Sequence, residues 1–187
     1  MKALFAVPFA AFLIAAAPPA AKAPAPSIVP PADVVANPAN RMMVELSSGG
    51  TVTIQLRPDL APNHIARIQA LVRQGFYNGL KFHRVIPGFM AQGGDPKGTG
   101  EGGSDLPDLK AELTAIPFLR GTVGAARADS LDSANSEFFI MFAPNANLDN
   151  KYTVVGRVIS GMDAVDKIAP GEPPEAPTTI VRAYLGG

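Results

Sequence analysis

Residues 42–46 and 51–56 each alternate polar and apolar side chains, the period of two expected of a strand with one buried face, and Ser48-Gly49-Gly50 lies between them. Two such runs joined by a short glycine-bearing connection predict a β-hairpin. Pro62 then marks a helix start. Ile65, Ile68, Leu71 and Val72 follow at the spacing of one buried helical stripe, and Gly75 ends it. Further strand-like runs cover 81–86, 89–93, 122–126, 137–142, 153–158 and 178–184, and a second short helix over 162–168 follows Ser160-Gly161. About eight short strands with two helices predict a mainly β chain. The expected architecture is a closed eight-stranded antiparallel barrel capped by two α-helices, because closure removes exposed strand edges.

The stretch 82–95, Phe-His-Arg-Val-Ile-Pro-Gly-Phe-Met-Ala-Gln-Gly-Gly-Asp, carries the densest chemistry in the chain. Pro87-Gly88 punctuates it as a turn between two strands. Alternation brings Arg84, Gln92 and either Phe89 or Met90 to one exposed face. A permanently charged fork, a carboxamide and large apolar groups suit a substrate that is apolar and amide-bearing. The run holds no nucleophile, metal-ligand cluster or phosphate cradle, so its chemistry is positioning and electrostatics. Arg84 is costly to bury among Phe82, Val85 and Ile86 without a partner, and is expected on a functional or solvent face.

Other features weigh less. His83 points to the strand face opposite Arg84 and fits a structural, hydrogen-bonded role better than a general base. His64, early in the first helix, is expected at the surface, and two isolated histidines make no metal site. Phe138 and Phe139 alternate, so one belongs to the core and the other can line a pocket. The glycine-rich stretch 93–103 is expected to be a long surface loop; within it 98–103 lacks the ending of a phosphate loop and opens no helix, so nucleotide binding is not expected.

Composition adds a compartment. Residues 1–23 carry Lys2, an apolar stretch over 3–17 and then small residues ending in Ala21-Lys22-Ala23, the layout of a secretory signal peptide. The apolar stretch is short for a membrane span, so no stable insertion is expected after cleavage, with an uncleaved anchor as the alternative. Residues 24–40 are rich in Ala and Pro and are expected to be an extended linker, so that the folded domain occupies 41–187. The chain has 16 basic and 16 acidic residues and no cysteine. Without the leader, which holds Lys2 and Lys22 and no acid, the balance moves slightly negative. No clustered basic face suggests nucleic acid, and the expectation is a periplasmic or secreted bacterial protein, monomeric.

The run 82–95 closely resembles the signature of the cyclophilins, the peptidyl-prolyl cis-trans isomerases. The resemblance continues through Ala61-Pro62, Gly75-Phe76-Tyr77-Asn78-Gly79, Gly121-Thr122-Val123-Gly124-Ala125-Ala126, Ser136-Glu137-Phe138-Phe139-Ile140, Leu148-Asp149 and Val155-Gly156, and covers essentially all of 41–184. It implies the closed barrel, an isomerase that needs neither cofactor nor metal, and proline-containing peptides and unfolded exported proteins as partners. It implies Arg84 as the catalytic arginine and Gln92 as the glutamine that orients it and the substrate. Phe89, Met90, Phe139 and Leu148 would form the proline pocket, Ala126 and Ala128 would border the groove, and Tyr152 stands where eukaryotic members have histidine.

Three departures from the family pattern bear on function. Arg127 replaces an asparagine whose backbone meets the substrate, a contact that survives a side-chain change. Asn147 replaces a tryptophan that contacts cyclosporin in many members, so weak cyclosporin binding is expected. Glu137 replaces a neutral glutamine; its carboxylate either approaches the Arg84–Gln92 pair, where it could orient the guanidinium or offset its field, or points to solvent and only biases the groove toward basic peptides. Offset is favoured, so that Glu137→Gln should raise kcat/KM on a neutral peptide. The competing class is a proline-peptide binding module or periplasmic chaperone with little turnover, which only Glu137 favours.

Overall fold

The computed structural model describes residues 26–186. The proposed signal peptide over 1–23 lies outside the described residues. Eight strands form one antiparallel sheet: β1 (Arg41–Leu46), β2 (Thr51–Leu56), β3 (Phe82–Ile86), β4 (Met90–Gly93), β5 (Thr122–Ala125), β6 (Phe138–Met141), β7 (Val154–Ser160) and β8 (Ile180–Leu185). Their order is β3-β4-β6-β5-β7-β2-β1-β8. Every strand foreseen from alternation is present, shifted by a few residues at most.

The sheet curls but does not close by a ladder, which corrects the expected closed barrel. Its edge strands, β3 and β8, meet only through the bridge Lys81–Thr179 and flanking bonds such as Phe82 N–H to Thr178 O at 2.9 Å. The outer edge of β3 is instead covered by the segment leading into β8, where Val85 and Gly171 exchange backbone bonds of 2.8 and 2.9 Å. That segment contains Pro170, Pro173, Pro174 and Pro177. Proline lacks the N–H a ladder needs, so the segment shields the edge without extending the sheet.

Three α-helices pack around the sheet, one more than expected: α1 (Ala32–Ala36), α2 (Pro62–Arg73) and α3 (Met162–Val165). The stripe foreseen on α2, Ile65, Ile68, Leu71 and Val72, is buried, and the helix packs near β8. The additional helix falls in the stretch expected to be a disordered linker. There, α1 and a 3₁₀ turn over Pro38–Asn40 form a strap with Val34 and Asn40 buried. Polar contacts hold it in place. Gln55 Nε2 donates to Asn40 O at 3.0 Å, Gln69 Nε2 to Ala39 O at 2.9 Å, and the buried Arg57 guanidinium to Ser27 O and Ile28 O at 2.7 and 3.1 Å. Composition alone hides such anchors, because their donors come from β2, the residue after it and α2.

The core divides in two. The larger cluster fills the curl of the sheet beneath α2 and α3 and includes Val44, Ile54, Tyr77, Phe82, Phe138 and Ile180. The smaller one gathers Leu60, Met90, Ile116, Phe118, Phe139 and Met141 behind the candidate site.

Candidate active site

The β3–β4 hairpin sets the site's geometry. Its turn closes with Phe89 N–H on Ile86 O at 3.0 Å. Pro87 presets φ at the second turn position and Gly88, at φ +72°, accepts the left-handed third position of a type II turn. The resulting register sets Arg84 directly opposite Gln92, so the charged fork and the carboxamide are neighbours on one face. Gln92 in turn pairs with Phe139 on β6, and Phe139 with Gly124 on β5. A side chain at 124 would collide with the rings of Phe139 and Phe118, so glycine there is what lets the two rings stack with centroids 5.7 Å apart. Phe138 points the other way, edge-on to Tyr77 and Phe82 in the larger core.

These elements enclose a small cavity of about 120 Å³ lined by Arg84, Phe89, Met90, Gln92, Ala126, Arg127, Phe139, Leu148 and Tyr152. The floor is apolar: Met90 and Phe139 are buried, and Tyr152 sits edge-on to Phe139 at 5.6 Å. The remaining two residues singled out from sequence, Ala128 and Glu137, line an adjoining polar cavity of about 320 Å³, which shares Gln92, Ala126 and Arg127 with the first. The structure thus brings together every candidate residue along one groove. Arg127 lines both cavities, and its guanidinium is held against the groove wall. It lies 4.7 Å above the Tyr152 ring and donates to Ala128 O and Asp129 O at 2.8 and 3.1 Å. Asn147 is exposed on the 3₁₀ turn Ala146–Leu148 at the groove's end.

Of the Arg84–Gln92 pair, Glu137 meets Gln92, while Arg84 has a partner that was not foreseen. Arg84 donates through Nε to Glu172 Oε2 at 2.7 Å, and both side chains are about half exposed. Only Nε is engaged, so the terminal nitrogens remain free to donate at the cavity mouth. Glu137 instead accepts from Gln92 Nε2 at 2.7 Å through Oε2, and the same oxygen lies 3.4 Å from His83 Nε2. His83 is buried, and neither of its ring nitrogens has a well-formed hydrogen bond.

Sequence reasoning missed Glu172, which lies 88 residues from Arg84. It arrives there because Gly171 is bridged to Val85, so its neighbour falls beside the arginine. The loop over 98–103 was foreseen, but its role as a wall of the second cavity was not. Asp95 ties that loop down. Its carboxylate accepts from the backbone N–H groups of Lys97, Thr99 and Gly100, each at 2.7 Å. Burial alone would raise the Asp95 pKa, but these donors outweigh it and hold the group below its ordinary value.

The expectation for His64 is corrected. It is buried, with Nδ1 2.6 Å from Glu112 Oε2. Glu112 also accepts from the backbone N–H groups of Asn63 and His64, both at 3.1 Å, and so caps the first turn of α2, whose own N-cap residue Ala61 offers no side-chain acceptor.

Comparison with known proteins agrees with this geometry. The family described as "Cyclophilin type peptidyl-prolyl cis-trans isomerase/CLD" matches residues 41–185. A probable peptidyl-prolyl cis-trans isomerase of Brucella suis is 51% identical over 166 residues, covering 80% of this chain and 84% of that protein. Peptidyl-prolyl cis-trans isomerase B of Bacillus subtilis is 39% identical over 129 residues, covering 68% and 89%. Among solved structures, the cyclophilin AquaCyp293 of Hirschia baltica superposes with a TM-score of 0.73 at 32% identity, covering 80% of this chain and 74% of that one. A Cryptosporidium parvum cyclophilin-type isomerase solved in the presence of the dipeptide Ala-Pro shares the fold, with a TM-score of 0.72 at 24% identity over 79% of this chain and 99% of that one. With its family sequence running from β1 to β8 and its arginine set at the mouth of an apolar cavity, the chain belongs to the cyclophilin-type peptidyl-prolyl cis-trans isomerases.

Proposed function

We propose that this isomerase accelerates rotation about Xaa-Pro bonds in exported proteins and so assists their folding in a bacterial periplasm, with Arg84 as the group that stabilises the twisted amide. A prolyl amide resists rotation by about 18–20 kcal/mol because its nitrogen donates a lone pair into the carbonyl. In the twisted state that donation is lost and the nitrogen becomes a better hydrogen-bond acceptor. A donor aimed at it therefore binds the transition state more strongly than either planar isomer, which is what lowers a barrier.

The observation that carries this reading is the Arg84 guanidinium, engaged by Glu172 at Nε alone, beside a cavity floored by Phe89, Met90, Phe139 and Leu148. Its terminal nitrogens remain available to a prolyl nitrogen whose ring is seated in the cavity. Arginine suits the task because it stays charged and donates in a rigid fork. The apolar floor holds the pyrrolidine ring and thins the water around the amide, which strengthens the arginine's interaction. Gln92, opposite Arg84 in the register, is placed to orient substrate and guanidinium together. No step moves a proton or forms a bond.

The test is a proline-isomerisation assay on a short neutral peptide, with and without the protein. Catalytic amounts should speed the cis-to-trans phase. Binding of the peptide without acceleration would leave a proline-binding module or chaperone instead.

A further inference from the structure

Glu137 has a use for its charge that its neutral counterpart in the family would not have. An ionised carboxylate can only accept hydrogen bonds, whereas a primary amide such as Gln92 presents a donor end and an acceptor end. The contact between them, 2.7 Å from Gln92 Nε2 to Glu137 Oε2, therefore has a single chemically allowed sense: the amino group of Gln92 faces Glu137 and its carbonyl faces away. Gln92 is the register partner of Arg84 and lines the cavity that Arg84 lines as well as the polar one, whereas Glu137 lines only the polar one. A glutamine at 137 could meet Gln92 with either end, and the carboxamide could then sit in two orientations.

His83 completes the arrangement. Its side chain is 4% exposed, and neither ring nitrogen makes a well-formed hydrogen bond. A buried ring left without a partner is unfavourable, and the acceptor within reach of Nε2 is the same Glu137 Oε2, at 3.4 Å. His83 Nε2 and Gln92 Nε2 thus approach the same oxygen, the first at 3.4 Å as an electrostatic contact without a formed hydrogen bond and the second at 2.7 Å as a donor. A shift in the β3–β4 register between Phe82 and Arg84 sets this up: His83 sits at that irregularity within reach of Glu137, while Arg84 pairs with Gln92.

We propose that Glu137, steadied by His83, is a positioning residue that locks the Gln92 carboxamide with its carbonyl toward Arg84. The proposal rests on the isomerase reading of the groove. In this role the charge of Glu137 is directed at Gln92 and His83, while the ion-pair partner of Arg84 is Glu172. That reverses the expectation that Glu137 weakens the arginine's field.

The test uses the full folded chain with Glu137→Gln, which is nearly the same size, and with His83→Leu, paired with His83→Gln as the variant that restores a donor. Two readouts are needed. The first is the Gln92 side-chain amide signal in a ¹⁵N–¹H spectrum. It should be displaced from free-amide positions in the wild type and move toward them, or split into two, in Glu137→Gln and His83→Leu, with His83→Gln closer to wild type. The second is the split between kcat and KM on a neutral peptide. Glu137→Gln should lower kcat about fivefold, the effect of roughly one lost orienting hydrogen bond, with KM little changed. An unmoved Gln92 signal, or a folded Glu137→Gln whose kcat equals or exceeds the wild type, overturns the proposal. If the wild-type protein itself fails to speed isomerisation, the enzymatic reading falls, and the Gln92 signal still decides whether the lock exists.

Discussion

At the scale of single residues the site depends on one donor and the surface it works against. Arg84→Ala removes the donor while leaving Phe89, Met90 and Phe139 in place. We expect kcat/KM to fall about a hundredfold, the scale seen when one transition-state donor is lost. The side chain is half exposed and its ion pair with Glu172 is a surface pair, so stability should barely change. Isomerisation kinetics set beside a urea unfolding curve check both halves, and an unchanged rate in the folded variant would exclude Arg84 from the chemistry. Asn147 is the second residue-level case. Exposed at the end of the groove, it offers neither an indole face nor an indole N–H. Truncating a buried aromatic anchor commonly costs about 2 kcal/mol or more at an interface. Calorimetric titration should therefore find cyclosporin binding well weaker than nanomolar, and Asn147→Trp should tighten it. Alternation alone brought Arg84 and Gln92 to one face and left Phe89 or Met90, and Phe138 or Phe139, open; the other groove residues were named only through the resemblance to the cyclophilins. Glu172 and the Glu112–His64 pair were not legible, since each depends on a contact between distant segments that no local pattern encodes.

Elements were more legible than their connections. Strand alternation and turn residues located β1 to β8, because the period of two is written wherever one face of a sheet is buried. Whether the edges of that sheet ladder together is not written there; it turns on the proline spacing before β8. The strap over residues 26–40 was obscured for a related reason: an Ala/Pro-rich composition suggests little to bury, yet Val34 and Asn40 are buried by partners elsewhere. The N-terminus of α2 offers a test at this scale. Glu112 supplies the cap that Ala61 lacks, and Glu112→Ala should destabilise the fold by about 1–2 kcal/mol in chemical denaturation. Burial alone would raise the Glu112 pKa, but the bonds from His64 and from the backbone of Asn63 and His64 outweigh it, and the folded-state value is depressed. A depressed carboxyl gives stability that is fully present above its unfolded value, about 4.3, and is lost as pH falls through the folded value. The penalty of Glu112→Ala should accordingly shrink as pH is lowered below about 4. A penalty that stays constant down to pH 3 would mean that the carboxylate's charge plays no part.

At the scale of the whole molecule, the strap bears on the export proposed for this chain. Arg57 is buried, and its guanidinium is satisfied by Asp59 together with the carbonyls of Ser27 and Ile28. A mature chain beginning after Ile28 would lose both carbonyls, leaving a buried cation with part of its donor fork unpaired, a costly arrangement. A chain beginning at or before Ser27 keeps them. The leader pattern allows cleavage anywhere from about Pro18 to Ala32, because the small residues after the apolar stretch offer several sites. The strap narrows that window to its first part. Fractionation of the bacterial cell with N-terminal sequencing should therefore recover a periplasmic form whose first residue lies between about Pro18 and Ser27. Recovery of uncleaved chain from the cytosol would overturn the export reading. A periplasmic form starting beyond Ile28, and no less stable than a longer one, would instead show that the fold does not need the strap, and that the bonds from Arg57 to its carbonyls are dispensable.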